Sequence, residues 1–136
     1  MILNTNNSPW FISKDLRAII NNNISEFQSA CVLTCFDPNF LFDSDENYPV
    51  KIAIDTDGTL ILISSYLYLQ GPPFRDLLIK MNFDFVGQQA RYFDKVVSLQ
   101  GEQKRFAIWE KNFIESYRRG KYRVKVAPIY EIKAFE

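Results

Sequence analysis

The sequence predicts an α+β domain, a mainly antiparallel sheet of about five or six strands packed against a long C-terminal helix and a shorter N-terminal helix. Three observations predict it. Strand-length segments rich in β-branched and aromatic residues fill the middle of the chain, an Asp57-Gly58 pair joins two of them, and apolar residues at helical spacing appear before and after them. The 136 residues suit one domain, and with 47% hydrophobic and 15% aromatic residues the chain can bury a core without metals or disulfides. Residues 1–136 are therefore read as a single domain, with 1–12 a flexible or loosely packed N-terminal segment. Repeats and low-complexity stretches are absent.

Taken in order, Ser13 is placed to cap a helix whose Leu16, Ile19 and Ile20 form an apolar stripe, and the triplet Asn21 to Asn23 suits its end. Cys31 to Phe36 reads as a strand stopped by Asp37-Pro38, because proline lacks a donor and restricts the residue before it. After an acidic loop, Val50, Ile52 and Ile54 alternate with Lys51, Ala53 and Asp55, and Asp57-Gly58 signals a hairpin. The returning strand, Leu60 to Leu69, is largely apolar on both faces and belongs at the centre of the sheet. Gly71-Pro72-Pro73 breaks the pattern, and Phe74 to Met81 reads as a short helix turning Leu77, Leu78 and Met81 inward. A strand from about Phe83 through Phe93, turning at Gly87, and another from Lys95 to Leu99 extend the sheet. Phe106, Trp109, Phe113 and Tyr117 then mark a helix from Glu102 to Arg119 that stops at Gly120, and Tyr122, Val124 and Val126 form the inner face of a closing strand.

Composition narrows the chemistry. The chain has no histidine, which removes Ser-His-Asp triads, Cys-His pairs and histidine-ligated zinc. Cys31 and Cys35 point the same way from one strand but stand about 13 Å apart at strand rise, too far to bridge, and read as buried thiols in a reducing compartment. Met1 to Phe11 has no signal-peptide pattern, and Leu60 to Leu69 is too short to span a bilayer. The expected location is the cytoplasm, with no membrane partner.

The 16 basic and 16 acidic residues balance, yet they are segregated along the chain. Asp37, Asp43, Asp45, Glu46, Asp55 and Asp57 face one Lys51 in the first cluster, whereas Gly101 to Glu136 holds nine basic and five acidic residues. Oxygens at Asp43, Asp45 and Asn47 imitate the opening of a calcium loop, but Tyr48 stands where glycine is needed and Ile54 where a bidentate glutamate is needed. A solvated loop is the better account, and no metal or cofactor is expected. Ser64-Ser65 lacks a nearby base, no glycine-rich phosphate loop exists, and no catalytic residue is nominated. A carboxylate-lined cleft would arise if Asp37, Tyr48 and Asp84 converged. Asp84 lies between Phe83 and Phe85, but strand alternation turns it to the opposite face, toward solvent or the following turn.

At the C-terminus, Lys121, Arg123 and Lys125 share one strand face, with Arg118 and Arg119 at the preceding helix end. Such a stripe, interleaved with Tyr117, Tyr122 and Tyr130, suits phosphates and exposed bases or an acidic protein surface. The ordinary account is that these cations complement the helix C-terminus and protect an edge strand, and it is preferred.

Phe36-Asp37-Pro38, Asn47-Tyr48-Pro49-Val50-Lys51-Ile52, Gly71-Pro72-Pro73-Phe74, Asn82-Phe83-Asp84-Phe85 and Phe106-Ala107-Ile108-Trp109-Glu110-Lys111-Asn112-Phe113 together resemble a small bacterial family, the domain of unknown function DUF2787, from roughly Cys31 to Val126. Members carry a histidine between the tyrosine and proline that correspond to Tyr48 and Pro49, and this chain lacks it. The resemblance implies a single cytoplasmic α+β domain with no known activity, cofactor or catalytic residue; the occurrence of members in mobile or accessory bacterial gene neighbourhoods hints at nucleic-acid handling or host interaction. The leading expectation is a non-catalytic protein-interaction module with an unknown partner or self-association. Nucleic-acid binding through Arg118, Arg119, Lys121, Arg123 and Lys125 is second, and an enzyme using the Asp37, Tyr48 and Asp84 cleft is third.

Overall fold

Residues 1–38, 49–69 and 76–129 are described in a computed structural model of the chain. The elements are α1 (Lys14–Ile24), β1 (Cys31–Phe36), β2 (Val50–Ile54), β3 (Leu60–Leu69), β4 (Asp76–Asp84), β5 (Gln89–Tyr92), β6 (Lys95–Ser98), a 3₁₀ segment Leu99–Glu102, α2 (Gln103–Arg118) and β7 (Arg123–Pro128). Among the described residues the strands form one antiparallel sheet of seven, in the order β6-β5-β4-β3-β2-β1-β7. β3 is central, as its two apolar faces predict.

The sheet exceeds the expected five or six strands for two reasons. The segment expected to be a helix over Phe74 to Met81 is a strand from Asp76 onward, paired with β3 from Leu62↔Asp84 to Leu69↔Asp76. Its contiguous apolar run carries no period that separates strand from helix, and the long partner strand decides it. The stretch from Phe83 through Phe93 does turn at Gly87, and the turn 85–88 makes it two strands, the end of β4 and β5. Asp84 makes that turn, its Oδ1 accepting from the Val86 and Gly87 N–H groups at 3.0 and 2.8 Å.

Local signals place the helices. The Ser13 hydroxyl accepts the Leu16 N–H at 3.1 Å, capping α1. The asparagine triplet does not end this helix, which runs on to the buried Ile24; Asn21 accepts the Leu3 N–H at 2.7 Å and Asn23 donates to the Tyr117 hydroxyl at 3.2 Å. α2 ends before Gly120, whose φ of 72° is the left-handed conformation of a helix stop. At 16 residues it is about 24 Å long, enough to carry the chain from edge strand β6 most of the way across the sheet to edge strand β7.

The N-terminal segment corrects the expectation that residues 1–12 are loosely packed. Leu3, Trp10 and Ile12 are buried, and Asn4 exchanges backbone hydrogen bonds with Gly58 and Leu60 at 2.7 and 3.0 Å. Gly58 is required there twice over. Its φ is 86°, and a Cβ would lie 2.0 Å from the Ile2 carbonyl oxygen. Three apolar anchors in a polar stretch outweigh its loop-like composition.

Strand register divides the sheet into two faces. The row Val126-Leu33-Ile52-Ile63-Phe83-Ala90-Val97 crosses all seven strands on the side of the core, where Trp10, Phe83, Phe85, Phe106, Trp109 and Phe113 make ring contacts 5.1–6.4 Å apart. The next row, Lys125-Thr34-Lys51-Ser64-Asn82-Arg91-Val96, lies on the opposite face.

Candidate functional site

A groove of about 630 Å³ opens between α2 and the core face of the sheet. Val50, Met81, Tyr92, Trp109, Phe113 and Tyr122 supply its apolar and aromatic walls, and the successive turns of α2 add Arg105, Ile108, Asn112, Glu115 and Arg119 along one flank. The volume lies within the ordinary range for ligand-binding clefts. Ile108 is 64% exposed, an apolar side chain on the open flank rather than on the buried stripe of Phe106, Trp109 and Phe113.

The polar groups of this groove are suited to recognition. Arg119 donates to Glu115 at 2.6 Å, and Arg105 lies over the Tyr92 ring at 4.6 Å with Glu102 3.8 Å away. The Tyr92 hydroxyl is buried and makes no hydrogen bond of ordinary geometry; burial first, and the Glu102 charge second, push its pKa up to about 12. Burial likewise raises the Tyr122 phenol, whose ring stacks on Phe113 at 5.4 Å. These phenols stay protonated at neutral pH, as hydrogen-bond donors.

The carboxylates expected to form a cleft do not meet. Asp37 follows β1 beyond the level of Cys35, Val50, Ser65 and Met81, whereas Asp84 sits near the other end of the sheet at the level of Val32, Ala53 and Leu62. Two strands separate them as well. Tyr48 lies outside the described residues, as do Asp43, Asp45 and Asn47 of the calcium-like sequence and Tyr130 of the C-terminal stripe. Among the described residues, no group of three or more carboxylates and thiols is gathered to hold a metal. Cys31 and Cys35 are free and buried, and burial raises both thiols, Cys35 to about 12, so neither is a ready thiolate.

The C-terminal stripe is divided by the fold. Arg118 pairs with Asp15 of α1 at 3.0 Å and Arg119 with Glu115, so both belong to the helical side. Tyr117 and Tyr122 pack against the core instead of interleaving with the cations. Arg123 and Lys125 are exposed on the opposite face of the sheet, preceded by exposed Lys121. There the register sets Lys125 in one row with Lys51 and Arg91, residues far away in sequence. The sequence reading missed this row and the groove because both are assembled across strands, although Ile108, out of step with the apolar stripe, carried a local signal for the groove.

The family of proteins of unknown function DUF2787 matches residues 11–127, most of the chain. The chain belongs to the DUF2787 family. Comparison with functionally curated proteins finds no match. Among solved structures, the hypothetical protein VC0508 from the VSP-II pathogenicity island of Vibrio cholerae is similar with a TM-score of 0.76 and 20% identity, over 92% of this chain and 98% of that one. The conserved hypothetical protein VC1805 from pathogenicity island VPI-2 of Vibrio cholerae O1 biovar eltor str. N16961 is similar with a TM-score of 0.71 and 22% identity, over 85% and 94%; its structure is described as sharing structural homology with the human P32 protein. At these identities the likeness is one of fold. Among the described residues, no helix is long and apolar enough to cross a membrane.

Proposed function

We propose that this DUF2787 domain is a non-catalytic protein-interaction module that receives an apolar segment of a partner protein in the groove between α2 and the sheet. The carrying observation is the groove itself, with aromatic walls from Tyr92, Trp109, Phe113 and Tyr122, exposed Ile108 on its flank and a rim of arginines. Aromatic anchors with arginine at the margin are the composition of interface hot spots, and a concave site gives a partner side chain somewhere to be desolvated. Among the described groove residues the single carboxylate, Glu115, is engaged by Arg119, which favours binding over acid–base chemistry. A cytoplasmic location belongs to this reading, supported by two buried free thiols on one strand. The pathogenicity-island origin of the two structural neighbours is consistent with an accessory role.

The test is recovery of partners from nuclease-treated bacterial lysate at high salt, comparing the purified domain with its Ile108→Glu and Lys104→Gln variants. Lys104 is an exposed α2 residue outside the groove. A discrete protein retained by the domain and by Lys104→Gln, and lost with Ile108→Glu, is expected. Retention indifferent to Ile108, or no protein retained, would sink the reading.

A further inference from the structure

We infer that the partner segment carries an acidic side chain, Asp or Glu, beside its apolar residues, and that Lys80 and Arg105 receive it at the β5 end of the groove. This rests on the reading of the groove as a protein-interaction site and adds the chemistry of its occupant. A break in strand register is the first observation. β4 pairs with β3 as Ser65↔Met81 and then Tyr66↔Ile79, so Lys80 has no opposite number and forms a β-bulge. In unbroken alternation Lys80, two residues before Asn82, would share its face, away from the helices. The bulge sets it instead among the residues that line the groove, with Ser65, Met81 and Tyr92. The Phe93 N–H donates to the Lys80 carbonyl at 3.3 Å, which ties the bulge to the hairpin of β5 and β6.

Arg105 supplies the second cation at that end. Its guanidinium carbon lies 4.6 Å from the centre of the Tyr92 ring, and Tyr92 pairs with Met81, the neighbour of Lys80. The Arg105 side chain is 60% exposed, and its Nε stands 3.8 Å from Glu102, too far for a hydrogen bond, so this pair does not use up the guanidinium donors. A guanidinium held over a ring is placed in advance and offers a rigid fork to a carboxylate. The two ends of the groove differ in charge. Among the described residues, Lys80 and Arg105 stand against Glu102 at the β5 end, whereas Arg119, about 21 Å further along α2, is already bonded to Glu115 at 2.6 Å. An occupant with a carboxylate at the β5 end and apolar side chains over Val50, Ile108 and Phe113 matches this pattern. The carboxylates beside both arginines suit a single acid group better than a run of phosphates.

Selection of random dodecapeptides displayed on phage against the purified domain tests the proposal, followed by fluorescence anisotropy of the enriched sequence as a labelled peptide with both termini blocked. Blocked termini leave side chains as the source of any carboxylate. Enriched peptides are expected to need Ile108, failing on Ile108→Ser, and to carry Asp or Glu at a fixed place beside apolar residues. Changing that residue to Asn or Gln is expected to weaken binding roughly 5- to 10-fold. The Lys80→Gln/Arg105→Gln variant is expected to bind the acidic and amide peptides alike, and its binding of the amide peptide shows that it is folded. Lys104→Gln/Lys111→Gln, the same change in net charge on exposed α2 positions outside the groove, is expected to keep the preference. Ile108-dependent peptides without an acidic preference, or a preference that survives Lys80→Gln/Arg105→Gln or falls equally in both double variants, would overturn this proposal and leave the interaction reading standing. Absence of any Ile108-dependent peptide would remove that reading, and this proposal with it.

Discussion

Two neighbouring rows of the sheet, one residue apart on every strand, differ in almost every property. Val126, Leu33, Ile52, Ile63, Phe83, Ala90 and Val97 form a row that is apolar throughout and lies on the helix-covered face; Lys125, Thr34, Lys51, Ser64, Asn82, Arg91 and Val96 form a row that is polar except at its last position. The contrast shows how period-two alternation fixes register, since a slip of one residue would exchange these rows and bury the cations. It also shows that the face away from the helices holds buried polar atoms. Ser64 is only 2% exposed and stays polar because Asn82 accepts its hydroxyl hydrogen.

The largest way to sharpen this comparison is to remove one side chain from each row. Phe83 is fully buried, with its ring 5.1 Å from that of Phe106. Phe83→Ala is expected to cost about 3–5 kcal/mol, read as a lower midpoint of urea unfolding, while Arg91→Ala on the adjacent strand changes stability by about 0.5 kcal/mol or less. Similar losses at both positions would end the distinction between the faces. A smaller effect tests the Ser64-Asn82 pair within the polar row. Ser64→Ala leaves Asn82 Oδ1 without its donor and is expected to cost about 1–2 kcal/mol; a Ser64→Ala/Asn82→Ala cycle should show that the two losses are not additive.

The smallest expected effect lies between the helices over the apolar row. Glu110 Oε2 accepts the Ser13 N–H at 3.1 Å, yet burial, as the largest influence, raises its carboxyl above the ordinary range. A carboxyl raised in the folded state holds its proton more tightly there, so its stabilising contribution is complete below the unfolded pKa and is lost as pH rises through the folded value. Glu110→Gln, whose amide oxygen can still accept from Ser13, is therefore expected to melt slightly higher than the wild type near neutral pH, with the difference closing as acid protonates Glu110. A melting difference that widens in acid would contradict that sign.

Much of this architecture is legible locally. The Ser13 cap, the apolar stripe of α2 and the Asp57-Gly58 turn each depend on groups within a few residues of one another, and each forms where the residues indicate. The segment over β4 was not legible, because a contiguous run such as Leu77-Leu78-Ile79 satisfies a buried helix and a paired strand equally well. Nor was the N-terminal segment, where Leu3, Trp10 and Ile12 find their places only through residues far along the chain.

By itself, the sequence determined the α+β class, the two helices, the central place of β3 and the exclusion of histidine chemistry, because periodicity and composition act over short range. Only the tertiary structure decided that Arg118 and Arg119 part from Arg123 and Lys125, that Asp37 and Asp84 stand at different ends of the sheet, and that Lys51 and Arg91 join Lys125 in one row. Those outcomes follow from strand order and register, which are set by the simultaneous burial of seven strands under two helices, and no single stretch of the chain carries that information.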